Sequence, residues 1–172
     1  MVRRTEGVEE VREDVEEIYF RYGNMLYRTA VVMLGHRSDA EDTVQDTLIR
    51  YMEHKKAFRD EEHRKAWLLR VCINLCKNRL LFKKRHPQIQ FMDLTEYYER
   101  SEDGWLMELL MKLPESYRAV LLMYYVMGYN VRETARILGV TESAVKKRME
   151  RARGRLRELA EKEGVEAWNL NS

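Results

Sequence analysis

The stretch VRETARILGVTESAVKKRMERARGRLR, residues 131–157, constrains this chain more than any other. Ala135 is small where two helices must come close. Gly139, four residues on, can take the positive φ of a sharp turn. Val145, six further on, supplies the apolar anchor of a second helix. This small–turn–apolar spacing is that of a helix-turn-helix that docks in duplex DNA. Its charge agrees, with nine Lys/Arg against three Glu.

Thr141 suits the N-cap of the second helix. At 100° per residue, Val145, Met149, Ala152 and Leu156 form its buried stripe. Ser143, Lys147 and Arg151 then point outward, with Lys146 and Glu150 beside them. A recognition helix offers its N-terminal residues to base edges. Lys147 and Arg151 can donate to guanine, while Lys146 and Arg148 suit phosphates. Arg153, Arg155 and Arg157 are candidates for further backbone contacts, which would make binding salt-dependent. The competing reading is a charged helix in an ordinary bundle.

The rest of the chain reads as all-α. Charged residues are 35%, hydrophobic residues 45%, and there are two prolines and eight glycines. Net charge is only +2, so its distribution is what informs. Asp39 to Asp46 carries four acids and no base; Lys77 to Arg85 carries five bases and no acid. Such zones suit a protein that meets several surfaces, and they also suit solvated helix faces. No run reaches the roughly 18 apolar residues of a membrane span, and the N-terminus lacks a signal-peptide core. Membrane insertion is therefore not expected. Two cysteines make no disulfide framework, so a cytoplasmic location is expected. Cys72 and Cys76 read as small buried groups, since no CxxC or suitably spaced His accompanies them. No metal site or cofactor is expected.

Helical periodicity runs from Glu9 to Leu34 through Val15, Ile18, Tyr22, Met25, Leu26, Thr29 and Met33, and Gly35 ends it. Ser38 is the expected cap of a second helix, from Asp39 to about Lys55, with Ala40, Val44, Leu48 and Tyr51 inward. After a polar loop, Lys56 to Arg64, a third helix is expected from Lys65 to Phe82, with Trp67, Val71, Cys72, Leu75 and Cys76 inward. Residues 84–103, with Pro87 and a short acidic run, read as a flexible linker between helical domains 1–83 and 104–172. In the second domain a short helix, Trp105 to Leu113, precedes another that starts at Pro114 and runs to about Met127.

The first domain carries two chemistries. Asp39, Glu41, Asp42, Gln45 and Asp46 form an acidic edge that would repel DNA, so a basic protein surface is its expected partner. The third helix and the loop before it carry Phe58, Arg59, Trp67, Arg70, Asn74, Lys77, Asn78, Arg79 and Phe82, and then Lys83, Lys84 and Arg85. Aromatic groups interleaved with bases are what single-stranded nucleic acid needs. Trp67 fits a core position equally well, and the residues alone leave both readings open.

Two segments carry a family resemblance. DAEDTVQDTLIRY (Asp39 to Tyr51) followed by AWLLRVCINLCKNRL (Ala66 to Leu80) resembles the second conserved region of bacterial sigma factors. LPESYRAVLLMYYVMGYNVRETARILGVTESAVKKRMERARGRLR resembles their fourth region. With no third domain between them, the chain resembles the extracytoplasmic-function (ECF) group of the sigma-70 superfamily. The resemblance implies a promoter-specificity subunit that binds core RNA polymerase and opens promoters. It implies that Asp39, Asp42, Gln45 and Asp46 meet the clamp helices of the largest polymerase subunit. It implies that Phe58, Arg59, Trp67, Asn74, Lys77 and Asn78 serve recognition and melting of the minus-ten element. Ser143, Lys146, Lys147, Arg148 and Arg151 would read the minus-thirty-five element. The apolar side of the helix ending near Met127 would seat the flap of the second-largest subunit, and the linker would thread the RNA exit path. Anti-sigma partners are frequent in such a family. This chain has Thr141 and Ser143 where the family often has Pro and Gly, Ala144 where Thr is frequent, and Lys147 where Ser is frequent. A regulator that binds duplex DNA without polymerase would leave the acidic edge and the basic–aromatic helix without a task. An enzyme is disfavoured, because the four histidines are scattered and no catalytic motif accompanies them.

Overall fold

In the computed structural model the described residues are 3–54, 57–85 and 104–164, with side chains described from Val15 onward and not at Gly104. Residues 86–103 of the proposed linker and the segment after Gly164, with Trp168, lie outside them, while Lys84 and Arg85, expected in the linker, are the last residues of the third helix. Every regular element among the described residues is a helix, and the chain divides into two units, 1–90 and 91–172.

In the first unit, α1 (Arg3–Leu34) stops where Gly35 turns to φ 69° and returns its N–H to the Val31 carbonyl at 2.8 Å. That reversal leaves His36 extended, so His36 rather than Ser38 caps α2 (Arg37–Met52). The Asp39 N–H donates to its Nδ1 at 3.5 Å. Ser38 is already inside the first turn, where a side chain cannot act as N-cap. α3 (Glu61–Arg85) likewise begins four residues before the expected Lys65, because Asp60 caps it. The His63 N–H donates to Asp60 Oδ1 at 2.7 Å, and Glu61 and Glu62 occupy the positive end of the helix dipole.

The core between these helices holds Ile18, Tyr22, Leu26, Ala30 and Met33 of α1 and Ala40, Val44 and Tyr51 of α2. α3 contributes Leu68, Leu69, Cys72, Ile73 and Cys76. Of the residues expected inward on α3, Trp67, Val71 and Leu75 are only half-buried. They sit to one side of the true stripe, because Leu68 and Leu69 set the packed face one position further on. Three fully buried threonines remain hydrogen-bonded without any tertiary partner. Thr29, Thr43 and Thr47 each donate to the carbonyl four residues earlier, at 2.8, 2.7 and 2.7 Å. Each therefore packs as its methyl group while its hydroxyl is satisfied. Cys72 and Cys76 are free and fully buried, and the Cys72 thiol lies 3.7 Å from the Leu26 carbonyl. Hydrogen bonding to Cys72, then burial, pushes the Cys76 thiol well up, so it stays protonated and acts as a small apolar group.

In the second unit, α4 (Gly104–Met111) packs through Leu109 with Leu113, Leu121, Ala152, Leu156 and Ala160. α5 (Glu115–Leu121) has Pro114 as its N-cap, one residue outside the position expected, since its ψ of 145° is extended rather than helical. Arg118 is buried at 6% exposure and donates to the Met111 and Leu113 carbonyls at 3.2 and 2.5 Å, closing the end of α4. α5 then widens into a π-helical turn, Leu122–Val126, that leaves Tyr124, Tyr125 and Val126 exposed. α6 (Val131–Leu138) opens with a reciprocal cap between Asn130 and Glu133. α7 (Glu142–Lys162) follows after Gly139 and Val140, with Thr141 accepting from the Ala144 N–H at 3.1 Å. Gly139 sits at φ 66°, and a Cβ there would meet nothing within 4 Å. The turn therefore needs the glycine for its backbone conformation and not for space.

The Tyr22 hydroxyl donates to Glu61, which also accepts from Arg21 at 2.8 Å, tying α1 to the start of α3. Burial first, and then Glu61, pushes the Tyr22 hydroxyl up to about 12 from an ordinary 10. A folded value above the unfolded one stabilises fully below pH 10 and is lost as pH rises through about 12. The parent should lose stability over that window relative to Tyr22→Phe, which should itself be about 1 kcal/mol less stable at neutral pH. Denaturant melts from pH 7 to 12 check this, and parallel profiles would remove Tyr22 as the cause.

Candidate nucleic-acid and partner interfaces

The helix-turn-helix presents the outer face expected of it. Val145, Met149, Ala152 and Leu156 are buried, and Ala160 extends the stripe. Ser143, Lys146, Lys147 and Arg151 are exposed on the other side, while Arg148 is half-buried at its edge. Further along, the bases are partly committed. Arg155 pairs with Glu158 at 2.9 Å, and Arg153 donates to the Tyr125 hydroxyl at 3.4 Å. The cationic surface is thus concentrated in the first three turns of α7, where a groove-reading helix offers its side chains.

The first unit holds an open groove between the end of α2 and the middle of α3. Its lining is Arg50, Glu53, His54, Trp67, Val71, Asn74, Leu75 and Asn78. Trp67, Asn74 and Asn78 were among the residues expected from sequence to act together. Phe58 joins them through the loop, with its ring 5.5 Å from Trp67, 4.8 Å from His54 and 5.9 Å from Tyr51. The Arg64 guanidinium lies 5.7 Å from the centre of the same ring. Trp67 packs on Tyr51, His54 and Phe58 and also lines the groove.

Arg59 and Lys77 are not part of that lining. Arg59 extends into solvent and pairs with Asp60 at 2.7 Å, and its N–H donates to His63 Nδ1 at 3.2 Å. Sequence reasoning missed Arg50, Glu53 and His54. The available signal was their i, i+3 and i+4 spacing at the end of α2, which places them on one side of that helix.

The acidic edge of α2 is not bare. Asp46 accepts from Arg79 at 2.7 Å, with Asp42 at 3.6 Å and Asp39 at 4.0 Å from the same guanidinium. Asp39 also pairs with Lys83 and lies 3.4 Å from His36 Nδ1. Arg79 and Lys83 had been grouped with bases suited to nucleic acid. Their i, i+4 spacing instead turns both toward α2, where carboxylates in reach hold them. Gln45 is exposed beside the cluster.

Comparison with known proteins agrees with the division into two units. The family model described as sigma-70 region 2 matches residues 18–86, and that described as sigma-70, region 4 matches residues 103–156. The ECF RNA polymerase sigma factor SigM of Mycobacterium tuberculosis is 32% identical over 148 residues, covering 84% of this chain and 76% of the relative. SigW of Bacillus subtilis is 28% identical over 173 residues, covering 88% of this chain and 89% of the relative. Among solved structures, the sigma factor RpoE of Bartonella quintana, in complex with the anti-sigma factor NepR, is similar in fold. Its TM-score is 0.70 at 22% identity, over 87% of this chain and 98% of that one. CnrH, in complex with the cytosolic domain of CnrY, aligns with a TM-score of 0.65 at 24% identity, over 87% of this chain and 89% of that one.

Replacing Phe58 by Ala should remove one wall from Trp67. In a background with Trp105 and Trp168 changed to Phe, Trp67 emission should then move to longer wavelength. Stability should fall by roughly 1–3 kcal/mol, the range for losing a partly buried aromatic contact. Unchanged emission and melting would contradict the packing of the loop on α3.

Proposed function

We propose how the surfaces of this chain divide the work of promoter recognition, starting from the fact that the chain belongs to the ECF sigma factors of the sigma-70 family. Members of this family direct transcription initiation by RNA polymerase at chosen promoters. The observation that carries the residue-level reading is the exposed cationic face at the start of α7, opposite the buried stripe.

In this reading α7 enters the major groove of the minus-thirty-five element. Lys147 and Arg151 reach base edges, Ser143 adds a short donor, and Lys146 and Arg148 hold phosphates. The groove of the first unit takes unstacked bases of the minus-ten element. Asn74 and Asn78 offer amide donors and acceptors there, and Trp67 and Phe58 offer aromatic surface, with Arg59 and Lys77 as flanking cations. Capturing splayed bases offsets an opening cost of a few kcal/mol per base. Asp42 and Asp46, with Gln45 beside them, meet a basic surface on the clamp helices of the largest subunit, and Asp39 holds the helix that displays them. The exposed turn at Tyr124, Tyr125 and Val126 is where the flap of the second-largest subunit would rest. An anti-sigma protein is a further expected partner, as for the Bartonella relative captured with one. No helix of the described residues is long and apolar enough to cross a membrane, and the cytoplasm is the compartment this reading requires. Every task is one of binding, so no catalytic step, metal or cofactor is assigned.

Transcription by purified core polymerase on a promoter library tests the whole reading; no promoter-specific transcript above core alone would overturn it. Lys147→Ala and Arg151→Ala should each weaken binding of the upstream element by roughly 1–3 kcal/mol. Footprints identical to the parent's would contradict that assignment. Asp42→Lys should weaken core binding while leaving the helical signal and melting temperature near the parent's. Equal core affinity would dispose of the acidic face as the polymerase contact.

A further inference from the structure

Arg79 stands among three carboxylates of α2 that do different jobs. Asp39 is 18% exposed and pairs with Lys83, itself 15% exposed, so it belongs to the seam between α2 and α3. Asp42 and Asp46 are 56% and 44% exposed. They are three and seven residues beyond Asp39, which puts all three on one side of α2 over two turns. The Arg79 guanidinium spans them, at 4.0, 3.6 and 2.7 Å in that order, and is itself 28% exposed. It is therefore anchored at the seam, with its fork directed at the two acids on the outer surface.

We propose that Arg79 is an internal counter-ion that competes with basic groups of core polymerase for Asp42 and Asp46, and so sets the strength and salt dependence of core binding. This rests on the reading of Asp42 and Asp46 as polymerase-facing. A fork of five donors can bridge neighbouring carboxylates and hold them in one geometry. The same pairing weakens the field that those carboxylates project toward a cationic partner. Ion pairs this exposed contribute little, so an arriving Lys or Arg can displace Arg79 without breaking the fold. The seam does not depend on that displacement, because Lys83 keeps Asp39. Sequence alone reports a bare acidic edge; the structure reports one already partly neutralised from within.

Equilibrium binding of the full chain to core polymerase across a salt series tests this. Arg79→Gln should bind about two- to fivefold tighter at low salt, matching the release of one exposed competing pair. Its affinity should fall more steeply with salt than the parent's. Arg79→Lys keeps the charge but not the fork and should lie between the two. Affinity of a folded R79Q equal to or weaker than the parent's would overturn the proposal. If R79Q fails to fold by circular dichroism, R79K decides: tighter than the parent supports the competition, and equal or weaker overturns it. Asp42→Lys separates the two levels. If it binds core like the parent, the polymerase-facing reading has failed. If it binds weakly while R79Q does not tighten, only the role of Arg79 has failed.

Discussion

A helix buries one stripe and must leave the opposite face to solvent or to a partner. Both units of this chain are organised by that limit. α7 is the clearest case. Ala152, Leu156 and Ala160 close a core with α4 and α5, and Val145 and Met149 continue the buried stripe toward the turn. Once those five positions are committed inward, Lys147 and Arg151 must face outward, whatever the rest of the chain does. The exposed cationic face of α7 is thus the geometric remainder of core packing.

The first unit follows the same limit with weaker apolar contrast. α3 is basic at its end and apolar through its middle, and it meets α2 along a seam of mixed character. Leu68, Leu69, Cys72, Ile73 and Cys76 are the buried residues of α3. The flanking ion pairs of Arg79 and Lys83 then fix which cations stay inside the unit and which remain available. Arg79 and Lys83, which find carboxylates of α2 within 4 Å, are thereby largely withdrawn from the outer surface. Asn74 and Asn78, on the other flank, open onto the groove instead. One helix so serves an internal seam and an external groove.

Much of this was legible beforehand. The turn glycines Gly35 and Gly139, the cap Thr141 and the stripe of α7 all depend on neighbours within about four residues, and all were read correctly. The misses share a cause too. Ser38 lost its cap position to His36 because the preceding turn left His36 extended. Asp60 started α3 early through a bond to His63 that only a closed loop brings into reach. Thr43 and Thr47, absent from the expected inward set of α2, are core, since their hydroxyls turn back to their own helix.

Sequence by itself determined the helical class, the order of the elements, the helix-turn-helix and the outward residues of its second helix. Those features follow from 3.6-residue periodicity and turn chemistry, which are local. Tertiary structure decided which face of α3 is core, how His54 and Trp67 line one groove with Phe58 packed on both, and that Arg79 and Lys83 answer the acids of α2. These contacts join residues more than thirty positions apart in some cases, as Arg79 and Asp46 are. Periodicity shows that a residue leaves the core; only the packed helices show what charge or ring stands opposite it.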